Sequence, residues 1–154
     1  MSLYHNHIPV GILWDNKALP NATSADGDMV FVGANTNGRL QVEIFADTDI
    51  AVDTAKAFNI ELECFTSDTV GSATTPFSYN NSGTQTTQPN AHLYLVHKTS
   101  ADGGLAWTAG DAIIQIPLPA NTMDLMNYNW INLKVTTDED LSAQKITAIV
   151  TTLK

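Results

Sequence analysis

The stretch F58-N-I-E-L-E-C-F-T66 alternates residue by residue: Phe58, Ile60, Leu62 and Cys64 share one phase, and Asn59, Glu61 and Glu63 share the other. A period of two is the mark of a strand with one buried face, because successive side chains of an extended chain point to opposite sides. Working outward, R39-L-Q-V-E-I-F-A46 repeats the design with Leu40, Val42, Ile44 and Ala46 against Gln41 and Glu43. N129-W-I-N-L-K-V-T-T137 places Ile131, Leu133 and Val135 on one face, and K145-I-T-A-I-V-T-T-L153 does the same with Ile146, Ala148 and Val150. HLYLVHK (92–98) and AIIQIPLP (112–119) read as shorter apolar strands, MVFV (29–32) as a short one, and ILWD (12–15) as a candidate eighth.

The connectors carry turn chemistry in ADGD (25–28), TNG (36–38), NNSG (80–83), ADGG (101–104), AGD (109–111) and DED (138–140). No amphipathic pattern sustains three helical turns, and MDLMNY (123–128) is long enough for one short turn only. Strands at this spacing without helical crossovers predict an all-β, antiparallel β-sandwich of jelly-roll-like kind. The predicted organisation is an extended N-terminal arm over residues 1–27 and a single β-sandwich domain over 28–154. A second segment outside the alternation, residues 67–91, is long, polar and almost uncharged. Connections of that length in compact domains commonly serve as contact surfaces.

Composition narrows the function. The 154 residues are 44% hydrophobic and 15% charged, which is a globular rather than a disordered balance. Sixteen acidic residues face seven basic ones, with Arg39 the single arginine. Nucleic acid and anionic membrane surfaces are therefore not expected partners, since both are bound by clustered Lys and Arg. Cys64 is the only cysteine, so no intramolecular disulfide forms. Its phase with Phe58, Ile60 and Leu62 predicts a buried thiol rather than a nucleophile. No run of about 18 apolar residues predicts a membrane span, and no basic segment followed by an apolar one predicts a secretion signal.

Catalytic and metal patterns are sparse. His5 and His7 flank Asn6, but letters alone do not make a nuclease, and no Cys or acidic cluster stands nearby to complete a tetrahedral metal site. His92 and His97 have opposite strand phases and are expected to be ordinary strand residues. Asp47, Asp49 and Asp53 approximate a calcium loop but carry Ala51 and Val52 where a ligand and a glycine belong, so a polar turn is the expectation. Glu61 and Glu63 lie about 6.5–7 Å apart along one face, near the carboxyl spacing of inverting glycosidases. Alternation alone also puts polar residues there, and nothing adjacent explains a raised carboxyl. No nucleophile elbow and no phosphate-binding glycine loop is present. The NAT (21–23) and NNS (80–82) sequons are read as incidental. No catalytic residue, cofactor, metal or small-molecule substrate is expected.

What remains is contact surface. Phe65, Tyr94 and Trp130 fall in phases opposite the main apolar stripe, and Ile8, Ile12, Leu13 and Trp14 make an apolar knot in the arm. Some will simply cover sheet edges; as interface candidates, aromatic residues are favoured anchors. Together these seven are the expected partner or dimer contacts.

Three stretches carry a family likeness: ILWDNKALPNATSADGDMVFVG (12–33), FNIELECFTSDTVGSATTP (58–76) and AGDAIIQIPLPANTMDLMNYNWINLKVTTDEDLSAQKITAIVTTL (109–153). In their order and spacing they resemble the capsid cement, or decoration, proteins of tailed phages of the Bordetella podophage type. The likeness covers about residues 11–153; SLYHNHIPVG (2–11) and the polar segment 67–91 depart from it. It implies a jelly-roll β-sandwich that dimerises, is made in the host cytoplasm, and sits on the outer capsid surface of the virion bridging major capsid protein subunits, without catalysis. A carbohydrate-binding, lectin-like sandwich with Trp107 and Trp130 as stacking platforms is the alternative.

Overall fold

In a computed structural model, the described residues are 7–32, 39–65, 91–118 and 130–153. They form strands β1 (His7–Ala18), β2 (Ser24–Asp26), β3 (Val30–Phe31), β4 (Arg39–Ala46), β5 (Ile50–Val52), β6 (Phe58–Phe65), β7 (Ala91–Lys98), β8 (Leu105–Trp107), β9 (Ala112–Leu118), β10 (Trp130–Thr137) and β11 (Lys145–Leu153). One sheet has the order β1-β11-β4-β9; a second has β2-β10-β6-β7, with β3 also pairing β10; β5 and β8 make a small ribbon. Every pairing is antiparallel. The fold is thus the all-β antiparallel sandwich that the alternation predicts.

The two main sheets bury their apolar phases in a common core. Leu40, Val42, Ile44, Ile146, Ala148 and Val150 from one meet Phe58, Ile60, Leu62, Cys64, Ile131, Leu133 and Val135 from the other. Each fully buried aliphatic or aromatic side chain contributes about 1.5–3 kcal/mol by leaving water. The Cys64 thiol lies within this layer; burial, and secondarily the Glu63 charge, push it up to about 12, which makes it inert as a nucleophile.

The extended arm is corrected. His7–Ala18 is a twelve-residue strand whose backbone is laddered to β11, with Leu13 0% and Trp14 1% exposed. Register shifts between Pro9 and Gly11, Ile12 and Trp14, and Trp14 and Lys17 break its phase. Bulges of this kind turn two neighbouring residues to the same side, so Leu13 and Trp14 are both buried while Ile12 is exposed. Asn16 takes the left-handed conformation (φ 44°) in the last irregularity, and its amide donates to Thr147 Oγ1 at 3.1 Å. Trp14 Nε1 donates to the Lys17 carbonyl at 2.9 Å, and the Lys17 ammonium stands 4.8 Å over the indole.

Between β2 and β3, both in the second sheet, the chain makes a close approach to β1 of the first. The Gly27 amide donates to the Leu133 carbonyl and the Asp28 amide to the Leu13 carbonyl, both at 2.8 Å. A Cβ on Gly27 would stand 2.1 Å from the Leu13 carbonyl oxygen. Only glycine lets the backbones meet there.

Candidate functional site

The outer face of the β2-β10-β6-β7 sheet gathers the polar phases of its strands. Register defines four rows. Phe31, Trp130 and Phe65 are aligned at one end; next come Asn132 and Glu63; then Asp26, Lys134, Glu61 and Tyr94; and last Thr136, Asn59 and His97. Phe31 packs on Trp130 with centroids 5.1 Å apart at 60°, and Tyr94 on His97 at 4.6 Å and 47°. His97 Nδ1 and Asn59 Oδ1 are hydrogen-bonded at 2.7 Å.

A bulge opposite Ile60 and Glu61 shifts the phase of β7. His92 and His97, read as opposite in phase, therefore align with Glu63 and Asn59, which belong to one face of β6. A uniform period of two cannot anticipate this.

The centre of the face is acceptor-rich. Glu63 is 4% and Asn132 0% exposed. Asn132 Nδ2 is 3.4 Å from Asp26 Oδ1 and 3.5 Å from Glu63 Oε2. Lys134 Nζ is 3.8 Å from Glu63 Oε1. Burial raises the Glu63 carboxyl above its ordinary value; the Lys134 charge opposes this, Asp26 adds to it, the Asn132 hydrogen bond opposes it, and Glu61 adds slightly. This supplies the raised carboxyl that the sequence around Glu63 did not explain. Glu61 is directed instead to Tyr94, whose phenol is raised by burial first and then by the charge and hydrogen bond of Glu61.

The contact candidates separate. Tyr94 and Ile12 are exposed and Trp130 half-buried, but on different sheets: Ile12 belongs to β1. Leu13, Trp14 and Phe65 are buried and are corrected as contact residues; Leu13 and Trp14 belong to the core cluster. Ile8 is aligned with Thr152, and its side chain lies outside the described residues, as do His5, residues 66–90 and MDLMNY. Phe31, 46% exposed, was missed, since MVFV is too short to show which phase faces out.

Trp107 packs on Phe58 at 6.0 Å, at the opposite end of β6 from Phe65 and Trp130. Seven residues of strand separate those ends, about 23 Å, so the two indoles share no stacking surface. The aspartates of the calcium-like segment are tied to separate partners: Asp47 Oδ2 accepts from Thr147 Oγ1 at 2.7 Å and Asp49 Oδ1 from the Ala109 amide at 2.8 Å. Asp138 and Asp140 likewise have partners of their own: Asp138 accepts from the distant Ala57 amide at 2.7 Å, and Asp140 caps its turn by accepting from the Ser142 hydroxyl at 2.6 Å. Among the described residues, no three His, Cys, Asp or Glu side chains gather as a metal-binding group, and no helix is long and apolar enough to cross a membrane.

No protein-family model matches the chain, and neither a curated protein nor a solved structure matches it.

Proposed function

We propose that the protein is a non-enzymatic capsid cement protein, which binds the outer face of a phage head as a dimer and joins major capsid subunits. The observation that carries this reading is the aromatic end of the five-stranded sheet. There Phe31, 46% exposed, is braced on Trp130 and held by strand pairing rather than by a loop. Rigid aromatic groups on a paired strand lose little entropy on docking and are favoured anchors. The strand order supports the jelly-roll form of the fold. With β2 and β3 taken as one strand and β5 and β8 set aside, the first and last strands pair in one sheet, and the second and second-last pair in the other. The sequence likeness to cement proteins is the remaining support.

A cement function needs surface and valency rather than chemistry. Each stable contact buries on the order of 1,000 Å² or more, and two-site attachment through a dimer raises retention well beyond one site's affinity. The lectin-like alternative would have to stack sugars on Trp107 and Trp130 separately, because the two indoles lie at opposite ends of β6. Co-sedimentation with undecorated heads tests the proposal. Phe31→Ala and Trp130→Ala are each expected to weaken retention at least about tenfold, an anchor loss above roughly 1.4 kcal/mol, while circular dichroism stays unchanged. Retention equal to wild type, or sugar-specific signals on a glycan array, would overturn it. Sedimentation equilibrium tests the dimer, and a clean 16.6 kDa species would remove that part.

A further inference from the structure

We infer that the free edge of β9 is where two copies of the chain dimerise, pairing antiparallel about a two-fold axis at Gln115. The inference rests on the dimer of the proposed function and gives it an interface, but it does not depend on capsid binding.

The direction of the β9 backbone is fixed by its neighbour. β4 keeps unbroken register with β11, so its peptide groups point alternately to the two sides. The Asp47 amide donates to Lys145, on the β11 side, while Ala46 accepts from the Gly110 amide and donates to the Asp111 carbonyl, on the β9 side. Counting back by twos, Ile44 and Val42 bond to β9, opposite Ile114 and Ile116. Gln115 and Pro117, opposite Glu43 and Gln41, therefore turn their peptide groups away from β4. Proline has no N–H, so Gln115 holds the complete outward donor and acceptor of the regular stretch. Facing its own copy, each Gln115 amide donates to the other Gln115 carbonyl. A slip that sets Gln115 against Pro117 loses the returning bond, so the proline fixes the register.

Charge and packing select this edge. The chain carries a net charge of -9, so two copies repel except where the surface is neutral. Ala112–Leu118 has no charged residue. β1 carries Pro9, Lys17 and three irregularities, which keep an edge from pairing; β7 is broken by its bulge beside Glu61; β2 and β3 are three and two residues long. The β1 side of the sandwich is closed, since a Cβ on Gly11 would stand 2.6 Å from Val30 Cγ1. On the opposite side, no described strand bridges β9 and β7. There Ile114, Ile116, Leu93, Leu95 and Val96 pack on the core yet stay half-buried. A second β9 extends the sheet and covers that opening, leaving Phe31 and Trp130 free for the capsid. The seven-residue edge is about 23 Å long, which suits a reversible dimer at the small end of stable interfaces.

Sedimentation equilibrium of the full chain between about 1 and 100 μM should show a species of 16.6 kDa in exchange with one of twice that mass. Gln115→Pro deletes the outward N–H, which β4 does not use, and should weaken association at least about tenfold with unchanged circular dichroism and melting. Gln115→Ala loses the same side-chain bond to Glu43 but keeps the amide, and should dimerise as wild type does. Gln115→Cys should form a covalent dimer on mild oxidation, because facing residues of a bonded pair stand about 5.5 Å apart at Cα, within disulfide reach. Buried Cys64 gives no such product in the native chain, and Ile12→Cys on β1 should give none. A monomer at every concentration would overturn this interface together with the proposed dimer. A dimer that survives Gln115→Pro, or that links through Ile12→Cys and not through Gln115→Cys, would overturn the interface alone and leave capsid binding untouched.

Discussion

Strand β6 buries Phe58, Ile60, Leu62 and Cys64 by unbroken alternation down to Glu63, with a partner on each side, β10 and β7. Strand β1 lies at the edge of the other sheet and buries Leu13 and Trp14 side by side across its irregularities. The difference is one of position. A central strand must keep register with two neighbours, so its side chains alternate faithfully. An edge strand has one ladder to satisfy, and bulges bend it where the chain has to leave the sheet. Here the chain leaves β1 after Ala18 and joins the other sheet at β2; farther on, Gly27 and Asp28, whose amides bond to Leu133 and Leu13, tie β1 to that sheet. Burial, therefore, is no guide to regularity.

The severest way to break that comparison is to remove β1. Deleting residues 7–18 takes away Leu13, Trp14 and the outer partner of β11. Domain stabilities are only about 5–15 kcal/mol in all. The expected result is loss of the cooperative thermal transition and of the β-type circular dichroism spectrum. A truncated protein that still melts cooperatively would return β1 to the status of an arm.

Single truncations put the two strands on one scale. Trp14→Ala is expected to cost about 3–5 kcal/mol, and Leu62→Ala on β6 about 2–5 kcal/mol, from lost burial plus the cavity left behind. Urea midpoints at constant m-value measure both. If Trp14→Ala costs under about 1 kcal/mol, β1 is a cover rather than core. The close approach of the two sheets is probed by Gly27→Ala, whose methyl would meet the Leu13 carbonyl oxygen at 2.1 Å and Trp14 Cε3 at 3.0 Å. With the Gly27 amide bonded to Leu133 on the opposite side, the backbone cannot retreat, and a loss of about 3 kcal/mol is expected.

These residues show where sequence reasoning reaches and stops. Leu40 to Ala46, Phe58 to Cys64, Ile131 to Val135 and Ile146 to Val150 declare their buried face, because an uninterrupted strand converts phase directly into side. The burial of Trp14 was hidden by the bulges beside it, and the alignment of His92 with Glu63 by the bulge in β7. Phe65 shows a third failure: alternation gives the outward side correctly, yet the side chain is buried there. The Asp26–Glu63–Asn132 group was unreadable for another reason. Its members are brought together by sheet pairing across 106 residues of chain, and no spacing along the sequence announces that.

The smallest effect belongs to pH, and it sets Glu63 on β6 apart from the turn carboxylates. Burial raises Glu63 above its ordinary 4.5, so the folded protein holds that proton more tightly than the unfolded chain. Its contribution to stability is fully present below about 4.5 and is lost as pH rises through the raised value. Asp102, bonded to the Thr99 amide and hydroxyl, and Asp140, bonded to Ser142, are both lowered and act in the opposite sense. They stabilise above the ordinary aspartate value and lose that contribution as pH falls through their lowered ones. Glu63→Gln isolates the first effect: the variant should be more stable than wild type near pH 7. That advantage should shrink as pH falls toward about 5, with the Asp102 and Asp140 contributions cancelling in the difference. Urea midpoints of the pair at several pH values check it. A difference that stays flat, or one that widens on acidification, would mean that the Glu63 carboxylate is already stabilised by its neighbours, Lys134 foremost, rather than strained by its burial.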